Sequence, residues 1–220
     1  DLPGVSFNGI MTHAGASYDC RSIAEIQAMA RQEHSAAVEA ARRLAVAGLP
    51  CTMVSIGSTP TAQFSPDLSG ISEVRAGVYL FHDLVMAGLG VCQVEQIAIS
   101  VLTAVIGHQR HKQELIIDAG WMALSRDRGT AKQHQDQGYG LVCDAQGRPL
   151  PDLIVSATNQ EHGIVRQRDG SMLNFDVYPV GTLLRILPNH ACATAAMFTA
   201  YQVLNPGQDR LDDWPRIGGW

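Results

Sequence analysis

The chain changes its sequence pattern near Gly90, and this change constrains its fold more than any other feature. Upstream of it, short apolar runs flank one long helical pattern, which begins with a capping box at Ser22 and stops at Gly48. Strands that alternate with helices predict parallel βα units. Downstream, short strand-like runs are separated by turn signals, without a long helical pattern between them: Val94–Ile106, Glu114–Asp118, Tyr139–Cys143, Leu153–Ala157, Gly163–Arg168 and Leu183–Leu187. This second pattern predicts an antiparallel β domain.

We therefore expect two domains, an α/β part in residues 1–90 and a β domain in residues 91–220. The first part has predicted strands at Val5–Met11, Cys51–Ile56 and Glu73–Phe81. Two or three βα units are too few to close a barrel. On the third strand, the four-residue spacing of Arg75 and Tyr79 predicts that both face one side, where a buried arginine needs an anionic partner.

Composition excludes several classes of protein. Apolar residues make up 46% of the 220 residues and charged residues 17%, which excludes an intrinsically disordered chain. No apolar run approaches the ~20 residues of a membrane span, and a net charge of −5 argues against nucleic acid as a partner. Five cysteines, widely spaced and odd in number, predict reduced thiols and a cytoplasmic protein.

Glycine and hydroxyl residues directly follow the second predicted strand, at Gly57, Ser58 and Thr59. The carboxyl ends of such strands carry the active sites of β/α folds, and a glycine there lets backbone N–H groups approach a phosphate. The alternative is an ordinary turn before a proline. His13 and Tyr18 follow the first strand, so we expect them at the same end of the sheet, either for a ligand or as packed side chains.

The triplet His190-Ala191-Cys192 is the most suggestive group for chemistry. In an extended segment, residues i and i+2 face the same way, so the imidazole and the thiolate can bind one cation. Two protein ligands leave positions open for water or substrate, and sulfur with nitrogen favours Zn²⁺. The alternative is a buried, inert cysteine.

Three further sets of polar residues end or begin predicted strands. Glu161 and His162 are candidates for an acid/base pair or for orienting a ligand, against the alternative of a solvated turn. Asp118 and Asp127 each follow a strand, where either is an orienting carboxylate or a turn former.

Taken in order, these segments resemble the metal-activated D-serine dehydratase and D-threonine aldolase family, pyridoxal-phosphate enzymes of the alanine-racemase-like fold. The resemblance covers nearly the whole chain and rests on these motifs: M-T-H-A-G-A-S-Y (11–18), V-S-I-G-S-T-P-T (54–61), S-E-V-R-A-G-V-Y-L-F-H-D (72–83), D-A-G-W-M-A-L-S-R-D (118–127), Q-E-H-G (160–163), P-N-H-A-C-A-T (188–194) and R-I-G-G-W (216–220).

The resemblance implies the last βα units of a β/α-barrel followed by an antiparallel β domain, and it implies pyridoxal 5'-phosphate and a divalent metal as cofactors. Tyr18 matches a cofactor-contacting tyrosine, and the phosphate loop of the family matches Gly57, Ser58 and Thr59. The metal-binding pair matches His190 and Cys192. Aldolases of the family tend to carry aspartate at the second position, so the cysteine favours a dehydratase that uses zinc.

The resemblance implies a lyase that converts D-serine, or a related 3-hydroxy-D-amino acid, to a keto acid and ammonia, as a homodimer. A D-threonine or 3-hydroxy-D-aspartate aldolase is the first alternative, and a non-catalytic phosphate-binding remnant is the second. The family's Schiff-base lysine lies on an early barrel strand. Lys112 and Lys132, the two lysines present, lie in polar turns, so we expect the C-terminal portion of the enzyme, inactive by itself.

Overall fold

The structure, a computed structural model, describes residues 3–205 and 211–218, apart from the side chain of Pro151. The last two residues of the R-I-G-G-W motif lie outside these ranges. The chain divides into two compact units, which are described separately. The first contains residues 1–96 and 132–134, and the second contains residues 97–131 and 135–220.

The first unit is built on a three-stranded parallel sheet with the order β1-β2-β3. Its strands are β1 (Gly9–Met11), β2 (Met53–Ile56) and β3 (Glu73–Val74). Its helices are α1 (Ile23–Val46), α2 (Thr59–Phe64) and α3 (Leu84–Gly88). This arrangement confirms the predicted α/β pattern, with shorter strands than the sequence indicates.

Helix α1 follows its sequence signals closely. The Ser22 side chain accepts a hydrogen bond from the backbone N–H of Glu25, and Gly48 adopts a positive φ of 83° just past the last turn. The Glu25 carboxylate accepts from Arg21 N rather than from Ser22 N, so the box is shifted by one residue. Few residues of the helix are buried. One of them, Ala37, packs in the cluster that includes Val54 and Ile56 of β2.

The prediction of a strand over Glu73–Phe81 is wrong, because β3 ends at Val74 and residues 78–80 form a 3-10 turn. The Thr59 hydroxyl accepts a hydrogen bond from Val78 N and fixes this turn. Arg75 and Tyr79 therefore do not share one side of a strand. The guanidinium of Arg75 donates to Ser55 Oγ and to the carbonyl of Thr12, and Tyr79 is half exposed.

The second unit is a closed antiparallel barrel with the strand order β4-β5-β8-β7-β6-β9. Its strands are β4 (Val101–Gln109), β5 (Glu114–Ile117), β6 (Gly140–Asp144), β7 (Pro149–Thr158), β8 (Gly163–Gln167) and β9 (Leu183–Pro188). Five of the six predicted runs coincide closely with strands. The first run, predicted from Val94, begins as a strand only at Val101.

Short elements complete the second unit. They are helices α4 (Trp121–Leu124) and α5 (Ala191–Ala196) and an antiparallel hairpin of β10 (Ala200–Val203) with β11 (Asp212–Pro215). Strand β4 shows the alternation expected of a barrel wall, since Val101 and Val105 are buried while Leu102 and Ile106 are exposed. In the described parts of the chain, no helix combines the length and apolar character needed to cross a membrane.

The barrel interior generates a test with a matched control. Ile117 on β5 has no exposed surface, whereas Ile106 on β4 is half exposed. We expect Ile117→Ala to lower the free energy of unfolding by about 2–5 kcal/mol because it leaves a cavity. Ile106→Ala should cost less than about 1 kcal/mol. Urea unfolding followed by tryptophan fluorescence reports on this unit, because the sequence positions of all three tryptophans fall within the second unit. Equal losses for the two variants would contradict the barrel core.

Candidate functional site

The predicted metal-binding pair lies where β9 leaves the barrel. The strand ends at Pro188, Asn189 is buried, and His190 is the N-cap residue of α5, which places Cys192 in the first turn of that helix. The expectation of an extended H-x-C segment is therefore wrong beyond His190, because the alanine-rich run Ala191–Ala196 favours a helix. The two side chains nevertheless lie close enough for the Cys192 thiol to raise the pKa of the imidazole.

A third side chain completes the surroundings of His190. The imidazole Nδ1 lies 2.5 Å from Asp127 Oδ2, and the carboxylate accepts this hydrogen bond. The pKa of His190 is raised to about 9, mainly by the hydrogen bond with Cys192 and further by Asp127, against the opposing effect of partial burial. The surroundings of the imidazole thus favour its positively charged form.

The donor chemistry of this pair fits a divalent metal ion. A thiolate sulfur and an imidazole nitrogen are the ligands that Zn²⁺ prefers, and the contact of Nδ1 with Asp127 leaves Nε2 for the metal. Among the residues that the structure describes, no group of three or more His, Cys, Asp or Glu side chains is arranged to hold a metal. Two protein ligands fit an open site, in which other positions remain for water or substrate.

A buried amide holds the segment that carries Asp127. The Nδ2 of Asn189 donates to the carbonyl oxygens of Asp127, at 3.0 Å, and of Gly138, at 2.7 Å. Its Oδ1 accepts from the buried hydroxyl of Thr130 at 3.3 Å. The sequence analysis singled out Asp127 but missed Asn189 and Thr130. The available signal was the position of Asn189, directly between a buried strand and the H-x-C motif.

The predicted phosphate loop forms the junction between β2 and α2. Ser58 is the N-cap residue of α2 and makes a reciprocal capping box with Thr61, and the Ser58 hydroxyl also contacts that of Ser17 at 2.9 Å. Ser58, Thr59 and Thr61 are all buried. The loop lies at the carboxyl end of a parallel strand, where β/α folds bind phosphate groups, and its hydroxyls have hydrogen-bond partners within the protein.

Packing requires glycine at position 57. Its φ is 129°, and a Cβ on it would lie 2.5 Å from the carbonyl oxygen of Arg75. Its N–H donates to Oε1 of Glu33 at 3.0 Å, so this amide is already committed within the protein. Gly57 thus lets the backbone of Arg75, directly after β3, lie close against the start of the loop.

The buried carboxylate of Glu33, on α1, organises the loop and was missed by the sequence analysis. Besides Gly57 N, it accepts hydrogen bonds from the hydroxyls of Thr12 and Thr61, both at 2.9 Å. A signal was present, because Glu33 lies between Ala30 and Ala37 on the apolar face of the helix. A glutamate on such a face needs hydrogen-bond donors around it.

His13 and Tyr18 lie close together, as their positions after β1 predict. Their ring centroids are 6.1 Å apart, and His13 Nδ1 lies 3.0 Å from the carbonyl oxygen of Gly57. Tyr18 is half-buried and His13 is exposed. The structure therefore brings His13, Tyr18 and the loop that begins at Gly57 to one edge of the parallel sheet.

Glu161 and His162 lie in the turn between β7 and β8. His162 Nε2 is 2.9 Å from the side-chain nitrogen of Asn159, and the exposed carboxylate of Glu161 accepts from Gln160. The backbone N–H of Trp121, at the start of α4, donates to the carbonyl of Asn159 and anchors this turn. The two lysines are elsewhere: Lys112 is exposed in a 3-10 turn between β4 and β5, and Lys132 is exposed in the 132–134 segment.

Comparison with known families matches both parts of the chain. Residues 1–84 match the family model described as "Alanine racemase, N-terminal domain", and residues 98–204 match the one described as "Putative serine dehydratase domain". Together these matches reproduce the order of an α/β part followed by a β part.

Individual relatives agree with the family models. D-threo-3-hydroxyaspartate dehydratase of Delftia sp. (strain HT23) is 53% identical over 99% of this chain and 57% of its own length. D-serine dehydratase of Dictyostelium discoideum is 34% identical over 97% of this chain and 55% of its own. A solved structure of a D-threo-3-hydroxyaspartate dehydratase cysteine-to-alanine mutant, in the metal-free form, superposes with a TM-score of 0.91 at 52% identity over 99% of this chain and 57% of that one.

The chain thus spans little more than half the length of these relatives. Within that span, both family models, the fold and the ordered motifs agree. The chain belongs to the D-serine dehydratase and D-threonine aldolase family of proteins with the alanine-racemase-like fold.

Proposed function

We propose that this chain carries the phosphate-binding and metal-binding parts of a pyridoxal-phosphate- and zinc-dependent dehydratase. Its substrate is D-serine or a related 3-hydroxy-D-amino acid such as D-threo-3-hydroxyaspartate, and its products are a keto acid and ammonia. In this proposal residues 1–90 bind the cofactor and residues 91–220 carry the metal. The protein acts in the cytoplasm as a homodimer. The observation that carries the proposal is the contact between His190 and Cys192 at the end of β9.

The relatives support the dehydratase assignment over the alternatives. The relative with 53% identity is a dehydratase of a 3-hydroxy-D-amino acid, whereas a D-threonine aldolase of Arthrobacter sp. is 26% identical over a similar span. One solved structure of a D-threo-3-hydroxyaspartate dehydratase is described as a metal-free form, which supports a metal in that enzyme. Cys192 is exposed and lies beside an imidazole, so it is available to bind a metal here.

His190 and Cys192 would hold the metal that assists the loss of the β-hydroxyl. Hydroxide is a poor leaving group, and a zinc ion bound at this pair supplies Lewis acidity that stabilises the charge on the departing oxygen. His190 and Cys192 hold the ion by adjacent donors and leave the remaining positions open. We propose that Glu161 and His162 transfer protons. Glu161 is exposed, and the side chain of Asn159 holds the ring of His162.

The cofactor site is proposed at the loop after β2. Pyridoxal phosphate, when bound, supplies an electron sink for the negative charge that develops at Cα of the substrate. Ser58 and Thr59 would bind its phosphate, Tyr18 would contact the cofactor, and Gly57 would keep the loop close to β3. Glu33 fixes the conformation of this loop through Gly57 N and Thr61.

The proposal predicts activity only when a Schiff-base lysine is supplied. We expect the 220-residue chain alone to be inactive on D-serine and on D-threo-3-hydroxyaspartate. A chimera that joins it to the upstream part of the Delftia relative should form keto acid and ammonia in a zinc-dependent manner. Coupled dehydrogenase assays for the keto acid measure this outcome. Glycine and an aldehyde instead of keto acid would indicate an aldolase, and an inactive chimera that binds pyridoxal phosphate would favour the non-catalytic interpretation.

The metal role of Cys192 can be tested in the chain itself. We expect Cys192→Ala to weaken zinc binding by about 100-fold or more, because an imidazole alone is a poor site. Cys51→Ala, which removes another free thiol on the first unit, should leave zinc affinity unchanged. Competition against a chromophoric chelator measures both dissociation constants. Equal zinc affinity in the two variants would exclude Cys192 as a ligand.

The raised pKa of His190 predicts how zinc affinity depends on pH. Zinc binds the neutral imidazole, and a pKa of about 9 means that the proton must be displaced at lower pH. Between about pH 8.5 and pH 6.5, we expect the zinc dissociation constant to rise about tenfold for each unit of pH lowered, per proton displaced. His190→Ala should bind zinc weakly and with a shallower dependence. A flat profile in the unmodified chain would contradict this role of His190.

A further inference from the structure

We propose that Asp127 is a positioning residue, which fixes the tautomer and the ring orientation of His190 so that Nε2 faces the metal. This inference rests on the proposed metal role of His190 and Cys192, and it adds a residue that neither ligates the metal nor touches the substrate. A histidine that binds a metal through one ring nitrogen commonly donates the other N–H to a carboxylate, which orients the ring and raises its basicity.

The contact itself has the required geometry. Asp127 Oδ2 lies 2.5 Å from His190 Nδ1, while the other contact of the imidazole is with Cys192. Asp127 and Cys192 thus have different roles. The Asp127 carboxylate accepts the hydrogen bond from Nδ1, and the Cys192 thiol is the second proposed metal ligand. No group of three His, Cys, Asp or Glu side chains among the described residues is arranged to hold a metal, so we assign the carboxylate to the imidazole rather than to the metal.

Two hydrogen bonds fix the backbone that carries the Asp127 carboxylate. The carbonyl of Asp127 accepts from Asn189, the residue directly before His190, and its N–H donates to Ser125 Oγ at 3.2 Å. Asn189 is 1% exposed. The buried side chain of Asn189 therefore links the backbone of Asp127 to the residue directly before His190.

The arginines on either side of Asp127 have other partners. Arg126 lies over the ring of Trp121 at 5.2 Å from the centroid, and Arg128 pairs with Asp136 at 2.5 Å and lies over Tyr139. The carboxylate is therefore directed to His190 although two cations adjoin it in sequence.

Stability alone gives little reason for this arrangement. The side chains of Asp127 and His190 are each about half exposed, at 50% and 46%. Ion pairs with such exposure contribute little to folding, because solvent screens them. Orientation of the imidazole ring therefore explains the hydrogen bonds around this pair better than the stability of the barrel does.

Zinc binding by the unmodified chain tests the positioning role. We expect Asp127→Ala to weaken zinc affinity by about 10–100-fold. Asp127→Asn, which retains an acceptor oxygen, should lose less than Asp127→Ala. The matched control is Asp118→Ala, which removes the carboxylate that accepts from Thr103 Oγ1 and Ala104 N after β5. Asp118→Ala should bind zinc as the unmodified chain does.

Two spectroscopic measurements separate positioning from ligation and from simple misfolding. With Co²⁺ in place of Zn²⁺, the thiolate-to-cobalt charge-transfer band should persist in Asp127→Ala and vanish in Cys192→Ala. In the metal-free chain, at a pH where His190 is neutral, ¹⁵N NMR of the imidazole should show the Nδ1–H tautomer. Asp127→Ala should shift this equilibrium toward the Nε2–H form.

The outcomes distinguish this inference from the proposed function. If the unmodified chain binds zinc in a Cys192-dependent way, and Asp127→Ala has an affinity within twofold and an unchanged tautomer, the positioning role is overturned while the metal site stands. If the unmodified chain shows no Cys192-dependent zinc binding, both proposals are overturned. Loss of the charge-transfer band in Asp127→Ala would also overturn positioning, because it would show that the thiolate site itself had collapsed.

Discussion

Strand β9 is hydrogen-bonded along both of its edges, to β4 and to β6, and this double pairing closes the barrel. A strand held on both sides cannot slide without breaking two ladders, so its register is fixed. Asn189, which follows the strand, inherits that fixed position and uses its amide to hold the carbonyls of Asp127 and Gly138. The contact between His190 and Asp127 therefore depends on barrel closure, because only Asn189 separates His190 from the end of β9.

The proposed phosphate loop depends on a similar arrangement in the other unit. One buried polar side chain, that of Glu33, accepts from a backbone N–H and from two hydroxyls that come from different parts of the chain. Burying a carboxylate is costly unless its oxygens are satisfied, and here each bond that satisfies it also fixes the loop. In each unit, one buried polar side chain fixes the backbone next to the candidate site. This side chain is Glu33 in the first unit and Asn189 in the second.

Local sequence patterns predicted the class of each unit but not these supporting residues. Short strand-like runs and turn signals indicated the barrel strands, and the Ser22 cap indicated the start of α1, because these signals act over a few residues. The strand predicted over Glu73–Phe81 was wrong, since the turn at Val78 is fixed by Thr59, 19 residues away. Likewise, Asn189 bonds to groups 51 and 62 residues distant, and Glu33 to a group 24 residues away, so the local sequence around each residue does not indicate its partners. The H-x-C pair was found from the sequence because its two residues are neighbours, although its helical geometry was not.

That closeness in sequence has a consequence for how the protein would exchange its metal. Structural zinc sites join distant segments, so losing the ion releases a large loop and unfolds the domain. His190 and Cys192 span a single tripeptide at the start of a six-residue helix. An ion bound there would close almost no loop, and the pairing of β9 with β4 and β6 involves neither His190 nor Cys192. The site would thus fill and empty in the folded barrel, with occupancy set by the free metal concentration rather than by the history of folding.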